Sequence, residues 1–112
     1  MAFRLVVSDT VLVPVSGTIP DATGRKVPFA YTLTMRRMPA GELTAAVEAN
    51  ETSVPTFVAG LTSGWSGVLD DEGREIPYSE AGLAQLLDIF GMAGLAFRAY
   101  FEAAGAKGKE KN

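Results

Sequence analysis

Apolar and polar positions alternate along the first third of the chain. Val11, Val13, Val15 and Ile19 are interleaved with Leu12, Pro14, Ser16 and Thr18, and Gly17 takes one of the apolar slots. Val27, Phe29, Tyr31, Leu33 and Met35 then alternate with Pro28, Ala30, Thr32, Thr34 and Arg36. A period of two over such lengths predicts strands with one buried face. Pro20-Asp21-Ala22-Thr23-Gly24 lies between the runs. It has turn chemistry, since proline pre-sets φ and glycine accepts positive φ. Residues 11 to 37 are therefore read as a long β-hairpin, with Phe3 to Val7 as a candidate third strand. Pro14 and Pro28 cannot donate to a ladder and belong at an edge or a bulge.

The period changes after Arg37-Met38-Pro39-Ala40-Gly41. Glu42 to Ala49 suits a short helix with Leu43, Ala46 and Val47 on one side. Asn50-Glu51-Thr52-Ser53 reads as a loop. The next stretch fits two states. Pro55 suits the first turn of a helix running to about Ser63, with Phe57, Val58 and Leu61 apolar, yet Val54 to Leu61 also fits a strand, and Gly60 and Gly64 weaken the helix. Val68-Leu69 and Glu75-Ile76 flank Asp71-Glu72-Gly73-Arg74, a small turn or hairpin. Ser79 is a good N-cap, Glu80 complements the helix dipole, and Leu83, Leu86, Leu87 and Phe90 form an i, i+3, i+4, i+7 stripe. Gly91 ends or kinks that helix. A second helix continues from Met92 to Ala104 and stops at Gly105. Strands first and helices later predict an α+β fold: an N-terminal antiparallel hairpin or small sheet, then a mainly helical C-terminal half. One domain is expected over residues 1–105, with 106–112 as a flexible lysine-rich tail.

Composition narrows the chemistry. A chain of 112 residues with 47% hydrophobic and 21% charged residues is apolar enough to bury a core. It has no histidine and no cysteine. The commonest general base, the usual nucleophile-activating pairs and the main transition-metal ligands are thereby missing. Carboxylates, lysine and serine remain, but no spacing among them suggests catalysis, and the chain reads as non-enzymatic. Ten basic against thirteen acidic residues give a net charge of −3, which argues against nucleic acid as partner. Phe3 to Asp9 lacks the features of a signal peptide. The most apolar region, Ala81 to Phe97, is broken by Gln85 and Asp88 and falls short of the ~20 apolar residues of a membrane span.

Candidate motifs weaken on inspection. An EF-hand counted from Asp70 would need glycine at Glu75 and glutamate at Ala81, so Asp70, Asp71, Glu72 and Glu75 read as a solvated turn. Gly64-Trp65-Ser66-Gly67 lacks the spacing of a nucleophile elbow. Gly105-Ala106-Lys107-Gly108-Lys109 lies outside the strand-to-helix setting of a phosphate loop. Two roles are open for Trp65: packing the turn onto the helix, or anchoring a partner. Between Met92 and Phe101 the only charge is Arg98. A helix apolar nearly all round in so small a domain predicts a surface for self-association or a partner.

The order of motifs carries a resemblance. Trp65-x-Gly67-Val68, Asp71-x-Gly73, Ile76-Pro77-Tyr78-Ser79 and the leucine-rich helix from Leu83 to Leu87 follow in sequence. Before them come the hairpin from Val11 to Arg37 and the passage Arg36-Arg37-Met38-Pro39-Ala40-Gly41-Glu42-Leu43; after them come the aromatics from Phe97 to Phe101. Over about Val11 to Gly105 this resembles the tail assembly chaperones of long-tailed siphophages. The resemblance implies a protein of the infected host cell's cytoplasm that is absent from the finished virion. It would coat the aggregation-prone tape-measure protein and help recruit the tail tube protein. It also implies the short product of a pair made by a −1 ribosomal frameshift, with which Gly108-Lys109 is compatible. No cofactor and no catalytic residue come with it. A chaperone for an elongated helical client needs many weak, adaptable contacts and gains avidity from several copies. Trp65, Met92, Leu95, Phe97, Tyr100 and Phe101 are the candidate interaction residues. Two further readings are a small adaptor or inhibitor with one fixed partner, and a minor tail protein retained in the virion.

Overall fold

The computed structural model describes residues 2–5, 8–49 and 52–106. The expected tail beyond Ala106 lies outside these residues, as do Val6 and Val7 of the candidate N-terminal strand. Phe3, Arg4 and Leu5 belong to no strand.

The fold is α+β. The hairpin forms as its period required: β1, Thr10–Pro20, pairs antiparallel with β2, Lys26–Arg36, without a bulge. Two bonds at its ends fix the parity. Arg37 N–H donates to the Asp9 carbonyl at 2.8 Å, and Asp21 N–H donates to the Arg25 carbonyl at 2.9 Å. Stepping by two from either end makes the odd-numbered β1 residues the hydrogen-bonded partners of β2. Pro14 and Pro20 fall at even positions, where the nitrogen faces away from β2. Pro28 faces away from β1 at its pair with Thr18. It would face β3, Thr62–Ser66, but β3 pairs only with Thr32 to Met35 and ends before reaching it. The three prolines therefore cost the ladder nothing. The sheet order is β1-β2-β3, with a bulge where Thr34 and Met35 meet β3.

The strand β3 was not foreseen as such. The two-state stretch takes the helical alternative as helix α2, Val54–Leu61, which ends before Ser63, and β3 follows directly. Ser53 caps α2 by accepting from Thr56 N–H, and Pro55 sits in its first turn. Helix α1, Ala40–Ala49, joins β2 to α2 and buries no residue. Helix α3, Glu80–Leu87, starts at Ser79, whose Oγ accepts from Gly82 N–H at 2.9 Å. Helix α4, Met92–Ala104, follows after a bend of 105°. Gly91 makes that bend with φ 86°, a left-handed conformation that glycine adopts without a Cβ penalty.

That bend corrects the leucine stripe. Phe90 would share the face of Leu83 and Leu87 only if α3 ran on; α3 stops at Leu87, and Phe90 projects fully into solvent. Gly105 does end α4, but with φ −81° rather than a left-handed cap.

The core lies between one face of the sheet and the helices. Val13, Val15, Tyr31, Leu33 and Met35 meet Val58 and Leu61 of α2, Leu83 and Leu87 of α3, and Met92, Ala93, Ala96 and Tyr100 of α4. Gly17 keeps the inner face level: a Cβ there would meet the Phe29 ring at 3.1 Å and Leu95 Cδ1 at 3.3 Å. The far end of α4 is tied to the sheet by polar bonds. The Tyr100 hydroxyl donates to the Arg36 carbonyl and accepts from Met38 N–H, both at 2.9 Å. The Arg37 guanidinium donates to the Ala104 carbonyl at 2.8 Å, satisfying an orphan acceptor of the last turn of α4.

Two predictions follow from this packing. Tyr100→Phe should lower stability by about 1–3 kcal/mol in urea titration, because it removes the partner of both Met38 N–H and the Arg36 carbonyl in a part-buried site. Tyr31 is the reverse case. Its hydroxyl is buried without a hydrogen-bond partner, and burial pushes its pKa up to about 12 from 10.0. A folded pKa above the unfolded one means stability is intact below pH 10 and is lost as pH rises towards 12. Unfolding titrations between pH 8 and 12 should show that loss, and Tyr31→Phe should remove most of it while leaving stability at pH 7 equal or higher.

Candidate interaction surface

The two tight turns illustrate how local sequence uses its polar groups. Asp21-Ala22-Thr23-Gly24-Arg25 and Asp70-Asp71-Glu72-Gly73-Arg74 share the pattern Asp-x-x-Gly-Arg and the same geometry. In each the aspartate Oδ1 accepts two backbone N–H groups, from Thr23 and Arg25 at 2.8 and 3.0 Å, and from Glu72 and Arg74 at 2.9 and 2.9 Å. In each the glycine has φ above 80°. Hydrogen bonding lowers both carboxyl pKa values, chiefly from the Thr23 hydroxyl at Asp21 and from Arg74 N–H at Asp70. Asp70 is therefore spent inside its turn, with Arg74 Nε at 3.1 Å from Oδ2. Among the described residues no group of three or more acidic side chains is placed to hold a metal ion.

Trp65 is occupied within the chain. Its Nε1–H donates to the Ile76 carbonyl at 2.8 Å, and its ring stands edge-on to Tyr78 at 5.3 Å. A Cβ on Gly82 would lie 3.0 Å from the ring, so the glycine lets α3 close onto it. These contacts are those of the packing role: Trp65 ties β3, the acidic turn and α3 together.

The other five candidates sit on α4 and part company around it. Met92 and Tyr100 are 5% and 1% exposed and belong to the core, which corrects their reading as surface residues. The error has a physical source. The stripe that carries Met92 and Tyr100 is covered by the sheet and by α2 with α3. Leu95 lies on one flank, beside Gly17 and β1. Phe97 and Phe101 lie on the opposite flank, with ring centroids 4.8 Å apart, and Phe97 meets Phe57 of α2 edge-on at 5.5 Å.

Those aromatics form one partly open apolar flank of α4. The amphipathic side of α1 faces them without burying a residue. A cleft of about 310 Å³ opens between Leu43, Thr44, Val47 and Glu48 of α1 and Phe101 of α4. A second, of about 120 Å³, lies between Ala46 and Val47 on one side and Phe57 and Phe97 on the other. Phe101 is 38% and Val47 52% exposed. The sequence reading missed Phe57, Leu43 and Val47 as part of this surface. The spacing of Leu43, Ala46 and Val47 signalled an apolar side, but not what it faces.

Comparison with family models, curated proteins and solved structures finds no match for the chain. Among the described residues no single helix is long and apolar enough to cross a membrane, α3 and α4 being separated by the 105° bend.

Substitutions should separate core from surface. Met92→Asp should unfold the chain or cost about 3 kcal/mol or more, because it buries an unpaired charge. Val47→Glu should change stability by no more than about 0.5 kcal/mol. Thermal unfolding of the two variants checks the assignment.

Proposed function

We propose that this chain is a non-enzymatic tail assembly chaperone of a long-tailed phage, binding the tape-measure protein, and the tail tube protein with it, during tail morphogenesis in the host cytoplasm. The order of motifs from Val11 to Gly105 resembles that of the family. The observation that carries a binding role is the aromatic flank of α4. Phe97 and Phe101 are left half-covered beside Val47 and Leu43, under a helix that buries nothing. Apolar side chains in that state can be re-covered by a client at small cost, since few contacts must break first. Surfaces of this kind suit a chaperone better than a lock-and-key partner, because the contacts are adaptable and individually weak. Self-association multiplies them along an extended client.

The reading is tested by co-expressing the chain with the tape-measure protein encoded beside it. The expected result is tape-measure protein that is insoluble alone and soluble with several copies of this chain bound. Phe101→Glu together with Val47→Glu should reduce the bound copies about tenfold or more while the chain stays folded. Failure of the folded wild-type chain to bind the tape-measure protein would overturn the reading.

A further inference from the structure

The elbow between α3 and α4 presents an aromatic that the fold does not use. Ile89, Phe90, Gly91 and Met92 form a tight turn, closed by Met92 N–H donating to the Ile89 carbonyl at 2.9 Å. Gly91, with φ 86° and ψ −15°, has the third-residue conformation of a type II turn, and Phe90 takes the second position. That position favours proline and makes no demand for a large apolar side chain. Phe90 is nevertheless 103% exposed, with Ile89 half-buried beside it. The turn is anchored on both sides. Asp88 N–H donates to the Ala84 carbonyl at 3.0 Å, and Leu95 N–H donates to the Gly91 carbonyl at 3.1 Å. Phe90 is therefore an apolar knob on a fixed backbone, and seating it costs little beyond the freedom of its side-chain torsions.

A hole lies next to the knob. Helices α2 and α3 leave an open cleft of about 280 Å³, lined by Pro55, Thr56 and Ala59 on one side and Ala84, Leu87 and Asp88 on the other. Thr56 and Asp88 give it a polar rim, and the other four residues are apolar. Knob and hole are neighbours, because Asp88 precedes Phe90 by two residues, at most about 7 Å of backbone. Phe90 does not fill this cleft in its own chain, since its side chain stands wholly in solvent. The knob of one copy can instead meet the cleft of another. Both features lie at one end of the molecule, so a two-fold axis between them seats both knobs at once, and such a contact closes at two copies.

We propose that two copies of this chain pair through their α3–α4 elbows, each inserting Phe90 into the cleft between Pro55, Ala59, Ala84 and Leu87 of the other. Two phenylalanine side chains and the walls they cover remove roughly 600–1,000 Å² from water. That is short of the ~1,200 Å² at which stable interfaces begin, so the dimer is weak and reversible. Weak pairing of this kind adds avidity once several copies share a client. The inference names the surface of the self-association invoked in the proposed function and rests on that reading only for its purpose. Its test uses no client, so the two fail separately.

Sedimentation velocity of the whole chain from about 20 μM to about 1 mM covers the range of a weak interface. The wild type should shift towards twice the 11.8 kDa chain mass as concentration rises. Phe90→Ser and, separately, Ala59→Arg should each weaken the association about tenfold or more. Both positions are exposed, so thermal unfolding of the two variants should match the wild type. The chain has no cysteine, which permits a second readout independent of any folding defect in those variants. Phe90→Cys mixed with Ala59→Cys should give an interchain disulfide in higher yield than Phe90→Cys mixed with Ala45→Cys, an exposed position on α1. A wild type that stays at 11.8 kDa throughout, association unchanged in either variant, or equal cross-linking to positions 59 and 45, would each overturn the proposal.

Discussion

The Tyr100 hydroxyl holds the molecule at the point where the sheet becomes helices. It lies between the Arg36 carbonyl and Met38 N–H, spanning the last residue of β2 and the start of the connection to α1. Next to it Arg37 binds three parts of the chain at once: Asp9, Ser8 and the end of α4. Residues 36–38 thus join both ends of the protein to the middle. The arrangement fixes where α4 lies against β1, how the chain enters β1, and from where α1 departs. A buried tyrosine can do this because its ring fills the core while its oxygen both donates and accepts.

Both flanks of α4 are set by that fixed position. Helix α4 packs one stripe into the core through Met92, Ala93, Ala96 and Tyr100, and its two flanks face different neighbours. The Phe97–Phe101 flank faces α1, which covers it loosely. The Leu95–Ala99–Ala103 flank faces the outer edge of β1, which pairs with no other strand among the described residues, across a groove. A helix that was to be covered by one domain alone would carry charges on these flanks; this one carries few. The two flanks lie on opposite sides of the same helix.

Much of the architecture was legible because short-range rules governed it. The hairpin followed from period two, its turn from Pro20 and Gly24, and the start of α3 from Ser79 and Glu80. The misplacements came where one residue type suits two settings. Val54 to Leu61 satisfied helix and strand alike; it forms helix α2, and the strand begins only at Thr62. Phe90 fitted the α3 stripe until Gly91 redirected the backbone. Met92 and Tyr100 looked like surface residues of an over-apolar helix, since nothing local says how many neighbours a helix will have.

The α+β order, the strand faces, the turn chemistry and the lack of histidine and cysteine were all in the sequence, because each depends on neighbours a few residues apart or on composition. Only packing set which side of α4 is core, that Trp65 is tied to Ile76 and Tyr78, and that β3 adds to the β2 side of the hairpin. Those outcomes depend on residues 11 to 67 positions apart meeting in space, as Trp65 meets Ile76 and Arg37 meets Ala104. Periodicity along the chain identifies a face that must be covered, but only packing decides what covers it.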